Sequence, residues 1–152
     1  MKAVHLLMIG AAVGGWLMYD KHIKTPRGIR NHNPGNIERT GTEWQGMRPI
    51  QTDKRFLQFE SPEYGVRAMA RILASYEGRG VNTVQGIIHT WAPPHENDTG
   101  SYVASVANKL GVLASQPIYR QQWPTLIAAI IQHENGRQPY PAEVIAAGVA
   151  MA

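Results

Sequence analysis

The apolar run Leu126-Ile127-Ala128-Ala129-Ile130-Ile131 passes directly into Gln132-His133-Glu134-Asn135-Gly136. A carboxylate set where an apolar helix stops, with Gly supplying the turn, is expected to be partly desolvated. Desolvation disfavours the charged form, so such an acid keeps its proton to higher pH and can donate it. Protonation of a leaving oxygen is what glycosidic-bond cleavage asks of a general acid. The competing reading of Glu134 is a solvated helix-terminal residue with no chemical task, and the rest of the chain has to decide between them.

The other carboxylates are few. Glu63 falls in the first turn of a predicted helix, where the macrodipole accounts for it. Glu77 and Glu143 read as solvated helix positions, and Glu60 as a helix lead-in. Glu38 adjoins a Gly-containing loop and either lines a cleft or pairs with Arg39. Glu96, in Pro93-Pro94-His95-Glu96-Asn97-Asp98-Thr99, stands in a stiff turn before a helix. It serves there either as capping chemistry or as a second catalytic carboxylate, with Asn97 holding an acetamido group.

Asn33 and Asn36 could offer amide contacts to an N-acetyl group, and His133 and Asn135 flank the proposed acid. Trp44, Trp91 and Tyr102 could stack on pyranose faces, the alternative for each aromatic being core packing. His32, His89, His95 and His133 invite a metal reading, but no His-Glu-x-x-His helix is present. His89 and His95, on either side of Trp91-Ala92-Pro93-Pro94, leave a zinc peptidase as a minor alternative. No metal or cofactor is expected, and no phosphate-binding Gly loop or nucleophile elbow occurs.

These residues need helices to position them. Ser61-Pro62-Glu63 is an N-cap followed by Pro at the first helical position. Val66, Met69, Ala70, Ile72, Leu73 and Tyr76 then share a face, and Gly78 stops the helix. Thr83 opens a helix through Val84, Ile87, Ile88 and Trp91, ended by Pro93-Pro94. Asp98 or Thr99 caps another, with Tyr102, Val103, Val106 and Leu110 inward and Gly111 as the stop. Trp123-Pro124 starts the Glu134 helix, and Pro141 starts a last one through Val144 and Ile145. Residues 24–47, rich in Gly, Pro and Asn, read as turns and shaped loops with no regular helix before Ile37. Arg55-Phe56-Leu57-Gln58-Phe59 alternates briefly, as a short strand or extended run does. Five modest helices with little strand make a mainly α fold.

At 152 residues the chain has room for one domain with a real core. Without Cys it can build neither a disulfide framework nor a thiolate zinc site. A net charge of +4 favours an anionic partner: nucleic acid, anionic lipid or the carboxylate-bearing bacterial wall. No concentrated Lys/Arg stripe is visible, so nucleic acid is not expected. Val4 to Tyr19 carries no charge other than that of His5 and is mostly apolar. Its length is just under the ~17–25 residues of a spanning helix. With no convincing small-x-small cleavage site after it, residues 1–23 read as an uncleaved membrane anchor, a signal peptide being the rival. Lys21, Lys24, Arg27 and Arg30 make the flank that follows it the more basic side.

The block Arg27-Gly28-Ile29-Arg30-Asn31-His32-Asn33-Pro34-Gly35-Asn36-Ile37 resembles the opening of a family of small bacteriophage and prophage virion proteins associated with peptidoglycan degradation. Further blocks extend the likeness: Trp44-Gln45-Gly46, Phe56-x-x-Phe59, Gly65-Val66-Arg67-Ala68, Trp91-Ala92-Pro93-Pro94-x-Glu96-Asn97-x-Thr99-x-x-Tyr102 and His133-Glu134-Asn135-Gly136. They cover nearly everything after residue 26. The anchor departs from relatives that begin near the Arg-Gly-Ile-Arg block. The order of elements is also similar to that of lysozyme-like transglycosylases and glucosaminidases, except that the Glu-bearing helix comes last, as a circular permutation would place it.

The resemblance implies a lysozyme-like helical domain over residues 24–152, following the anchor. It implies an enzyme that cuts the β-1,4 bond of murein glycan strands, held in a virion or host membrane by residues 4–19 and acting in the periplasm. Glu134 would be its acid and Glu96 its second carboxylate. The alternative from another class is a non-enzymatic virion membrane protein that binds cell wall.

Overall fold

Local turn chemistry sets most of the helix ends. The computed structural model describes residues 25–94 and 98–152. Residues 1–24, with the expected anchor, lie outside these, as do His95, Glu96 and Asn97. Extended Ser61 leads into α2 (Pro62–Gly78), which carries Pro at its start. The Thr83 hydroxyl accepts the Gly86 N–H at 3.1 Å to open α3 (Val84–Trp91). Asp98 accepts the Ser101 N–H to open α4 (Thr99–Leu110), and Gly111 closes it at φ +65°. Caps of this kind are worth about 0.5–2 kcal/mol each. A single 3₁₀ turn, Arg120–Gln122, feeds α5 (Trp123–Asn135), and Pro141 precedes α6 (Ala142–Ala150).

One expectation changes. The Gly/Pro/Asn-rich segment contains a one-turn helix, α1 (Arg27–Arg30), where only loop was expected. Pro26 supplies its entry and Asn31 its exit, and the turn is held by side-chain bonds made far along the chain. The Arg55–Phe59 run is extended but pairs only through isolated bridges, Glu38 with Phe56 and Met47 with Phe59. Among the described residues the fold is otherwise helical.

Helix α5 occupies the centre. Trp123, Leu126, Ile127, Ala129, Ile130 and Ile131 are all buried, so its apolar surface is far wider than the single stripe of a surface helix. Helices α4 and α6 pack on it, α2 packs on α6, and α3 on α4. Each fully buried Leu or Ile contributes about 1.5–3 kcal/mol relative to exposure. A smaller cluster of Leu57, Phe59 and Ala68, flanked by Ile37, Trp44, Met47 and Tyr64, fixes the loop segment against α2. Gly65 permits that approach, because a Cβ there would lie 2.0 Å from the His32 carbonyl oxygen.

A polar network braces the same segment. The Asp53 carboxylate accepts from the Arg27 guanidinium at 2.6 and 2.7 Å, from Asn31, and from the N–H groups of Arg55 and Phe56. The Arg27 guanidinium beside it holds its carboxyl well below the usual range. Glu38 pairs with Arg55 and not with its neighbour Arg39, which donates to the Asp53 carbonyl instead. Glu77, expected to be solvated, pairs with Arg120 at 2.6 Å. Among the described residues no helix is long and apolar enough to cross a membrane.

Candidate functional site

Glu134 follows Ile130 by four residues and Ile131 by three, and both isoleucines are fully buried. Residues at those spacings share a helix face, so the Glu134 side chain is turned inward at the point where α5 leaves the core. Gly136, at φ +70°, ends the helix directly after it. The carboxyl group is half-buried. Its Oε1 accepts from the Tyr102 hydroxyl at 3.0 Å, and its Oε2 from Asn36 Nδ2 at 3.3 Å. The surroundings expected from the sequence were apolar, but the atoms that meet this carboxyl group are polar donors, one on each oxygen.

Tyr102 is 1% exposed. Burial, with the Glu134 carboxylate beside it, pushes its phenol far above the ordinary value, so the group stays a donor. It therefore does not offer a face to a sugar, as was expected of it. Exposed His133 covers it, the two rings stacked with centroids 3.5 Å apart and planes 10° apart. The aromatic surface beside Glu134 that reaches solvent is that of His133.

Asn36 takes the left-handed conformation at φ +50° and joins the acid to a groove. This cleft, about 350 Å³ in volume, runs between the loop Gly35–Glu38 and the helices α2 and α3, with Ile72, Tyr76, Thr90, Trp91 and Pro93 as the opposite wall. Glu134 is not part of the wall itself, and Asn36 carries the connection. The half-buried Trp91 faces this cleft. The sequence reading had placed Tyr76 and Ile72 in the core from their helical spacing, and they line it as well.

The remaining candidates separate. Asn33 is fully buried, its amide donating to the Ile37 and Leu57 carbonyls and accepting the Ile37 N–H. It shapes the loop and has no polar atom left for a ligand. Asn135 donates to the carbonyls of Pro34 and Ile131, which ties the end of α5 to the same loop. Its buried Oδ1 has no hydrogen-bond partner and points at Gly28. A Cβ at Gly28 would sit 2.6 Å from that oxygen and 2.7 Å from Asn36 Oδ1, so Gly is required there. Trp44 stands apart, over a second hollow with Thr42, Glu43, Gln45, Arg67 and Arg71. Glu96 and Asn97 lie outside the described residues; Pro93, three positions before Glu96 in the chain, lines the groove. His89 bonds the Gln85 carbonyl within its own helix. Among the described residues no three His, Cys, Asp or Glu side chains gather as metal ligands would.

No protein-family model matches the chain. Protein P5 of Pseudoalteromonas phage PM2 is 39% identical to it over 153 residues, covering 97% of this chain and 96% of the relative. A match over 97% must run through most of the 24 residues that precede the described body. The N-terminal segment is therefore aligned in this relative. With that identity over nearly the whole of both proteins, the chain belongs to the family of phage protein P5.

Proposed function

We propose that this phage-family protein is a peptidoglycan-degrading enzyme of lysozyme-like type that cleaves the β-1,4 glycosidic bond of the murein strand. The observation that carries the reading is the held carboxyl group of Glu134. It sits at the end of the central helix, is oriented by Tyr102 and Asn36, and is joined through Asn36 to a groove. A glycan in that groove would pass Trp91, and one reaching from it to Glu134 would meet the exposed His133, both suited to a sugar ring.

Glu134 protonates the bridging oxygen as the bond to the anomeric carbon breaks, leaving an oxocarbenium-like centre. A hydroxyl of the same sugar then closes on that carbon and returns its proton to the Glu134 carboxylate, giving an anhydro end. Attack by water would give a reducing end and calls for a second carboxylate. Glu38 on the groove wall and Glu96 are the two on offer. The order of elements is read as a permuted lysozyme arrangement, with the acid-bearing helix last. Residues 4–19 are read as a membrane segment that keeps the enzyme at its site of action.

The rival is a wall-binding virion protein without catalysis. Replacing Glu134 by Gln keeps the shape and removes the proton. Full-length protein should clear purified cell-wall substrate, and E134Q should not while still binding it. Equal clearing by the two proteins would remove Glu134 from the mechanism. Binding without clearing by both would favour the rival.

A further inference from the structure

Residues 27–55 hold six basic side chains, Arg27, Arg30, Arg39, Arg48, Lys54 and Arg55, against three acidic ones, Glu38, Glu43 and Asp53. No stripe is visible along the sequence because the six are spread over 29 positions, but the fold draws them together. Arg27 and Arg55 lie over the Phe56 ring, with guanidinium carbons 4.7 and 5.0 Å from its centroid. Arg39 reaches the Asp53 carbonyl at 3.0 Å, next to Lys54. Arg30 is one helical turn from Arg27, and Arg48 donates to the Arg30 carbonyl at 3.2 Å. Asp53 neutralises Arg27 and Glu38 neutralises Arg55. Arg30, Arg39 and Arg48 donate to main-chain carbonyls. Among the described residues, neither they nor Lys54 pair with a carboxylate.

Two further features say what this face meets. Ile50, in the loop between Arg48 and Asp53, is 76% exposed, more than any other large apolar side chain described. Arg30 also bonds the carbonyl of Thr25, the point where the described body joins the segment carrying the apolar run of residues 4–19 and Lys21 and Lys24. The Phe56 ring is already covered by two guanidinium groups, so it offers no free stacking surface of the kind single-stranded nucleic acid needs. An exposed apolar tip within a cluster of cations, in a body that follows an apolar segment along the chain, matches the requirements of an anionic lipid surface.

We infer that this face docks on the phosphates of anionic lipid headgroups, with Ile50 entering the headgroup layer. The body is then held on the membrane by this face. This does not depend on the role given to Glu134.

Flotation of the full-length protein with phosphatidylcholine vesicles, with and without phosphatidylglycerol, tests it. Each cation near such a surface is worth about fivefold in affinity (~1 kcal/mol). The apolar segment of residues 4–19 contributes equally on both vesicles, so the readout is the preference of the protein for anionic over neutral ones. The triple variant Arg30→Gln, Arg39→Gln, Lys54→Gln should lose that preference, by up to on the order of a hundredfold, and salt should weaken it in the wild type likewise. Ile50→Ser should weaken anionic binding further. Lys54→Gln alone, at an exposed position, gives the fivefold loss if the triple variant does not fold. Indifference of binding to lipid charge and to these changes would overturn the inference. So would unchanged vesicle binding combined with lost binding to DNA or to purified sacculi.

Discussion

Tyr102→Phe is the sharpest perturbation of the proposed acid, because it removes one oxygen and leaves the ring. The ring is buried and stacked on His133 at 3.5 Å, so the packing of α4 on α5 survives. What disappears is the hydroxyl that donates to Glu134 Oε1 at 3.0 Å. Hydrogen bonds to charged groups are worth about 1.5–3 kcal/mol. Lost from the transition state, that is about 10- to 150-fold in rate. Glu134 is half-buried, so water can replace part of the bond, and the lower part of the range is expected. The assay is the rate of wall clearing by the full-length variant over a range of substrate concentrations. The maximal rate should fall while half-saturation stays put, since Tyr102 has no surface for the glycan. Thermal unfolding should show a loss of about 1 kcal/mol, a shift of about 2–4 °C for a chain of this size. A maximal rate within twofold of wild type would refute the claim that Tyr102 orients the acid.

Three further outcomes are expected. Asp53→Asn should cost about 1.5–3 kcal/mol at neutral pH, because the Arg27 and Asn31 bonds lose their charged acceptor. The folded-state pKa of Asp53 is depressed. Its stabilisation is therefore complete above the unfolded value of about 3.9 and drains away as pH falls below it toward the folded one. Melting curves should show the gap between wild type and variant narrowing below about pH 4. Gly28→Ala should cost about 1–3 kcal/mol by overpacking and impair clearing more than melting, since the new methyl meets Asn36 and Asn135 first. Burial pushes the Tyr140 phenol up to about 12, and its buried hydroxyl has no partner. Tyr140→Phe should raise the melting temperature, and should be spared this group's share of the stability loss that wild type shows as pH rises from about 10, the unfolded value, toward 12.

The legibility of this fold follows the range of the forces involved. Helix ends at Pro62, Thr83, Asp98 and Gly111 are set by residues within four positions of the end, so they can be read directly. Helix α1 cannot, because Arg27 and Asn31 are fixed by Asp53, 26 and 22 positions away. The inward turn of Glu134 follows from the spacing of Ile130 and Ile131. The same periodicity placed Tyr102 inward, which already spoke against a stacking role. Asn33 was open to misreading, since an amide that feeds two main-chain carbonyls has the same sequence as one that waits for a ligand. The basic face around Asp53 arises only when the loop folds back on α1.

The most direct measurement is the mass of the sugars released from purified sacculi by the full-length protein and by E134Q. The wild type should release muropeptides with anhydro ends, at masses one water below those of the reducing forms, and E134Q should release none. Muropeptides appearing from E134Q at the wild-type rate, or only free peptides cut from an intact glycan strand, would contradict a glycosidase that works through this carboxyl group.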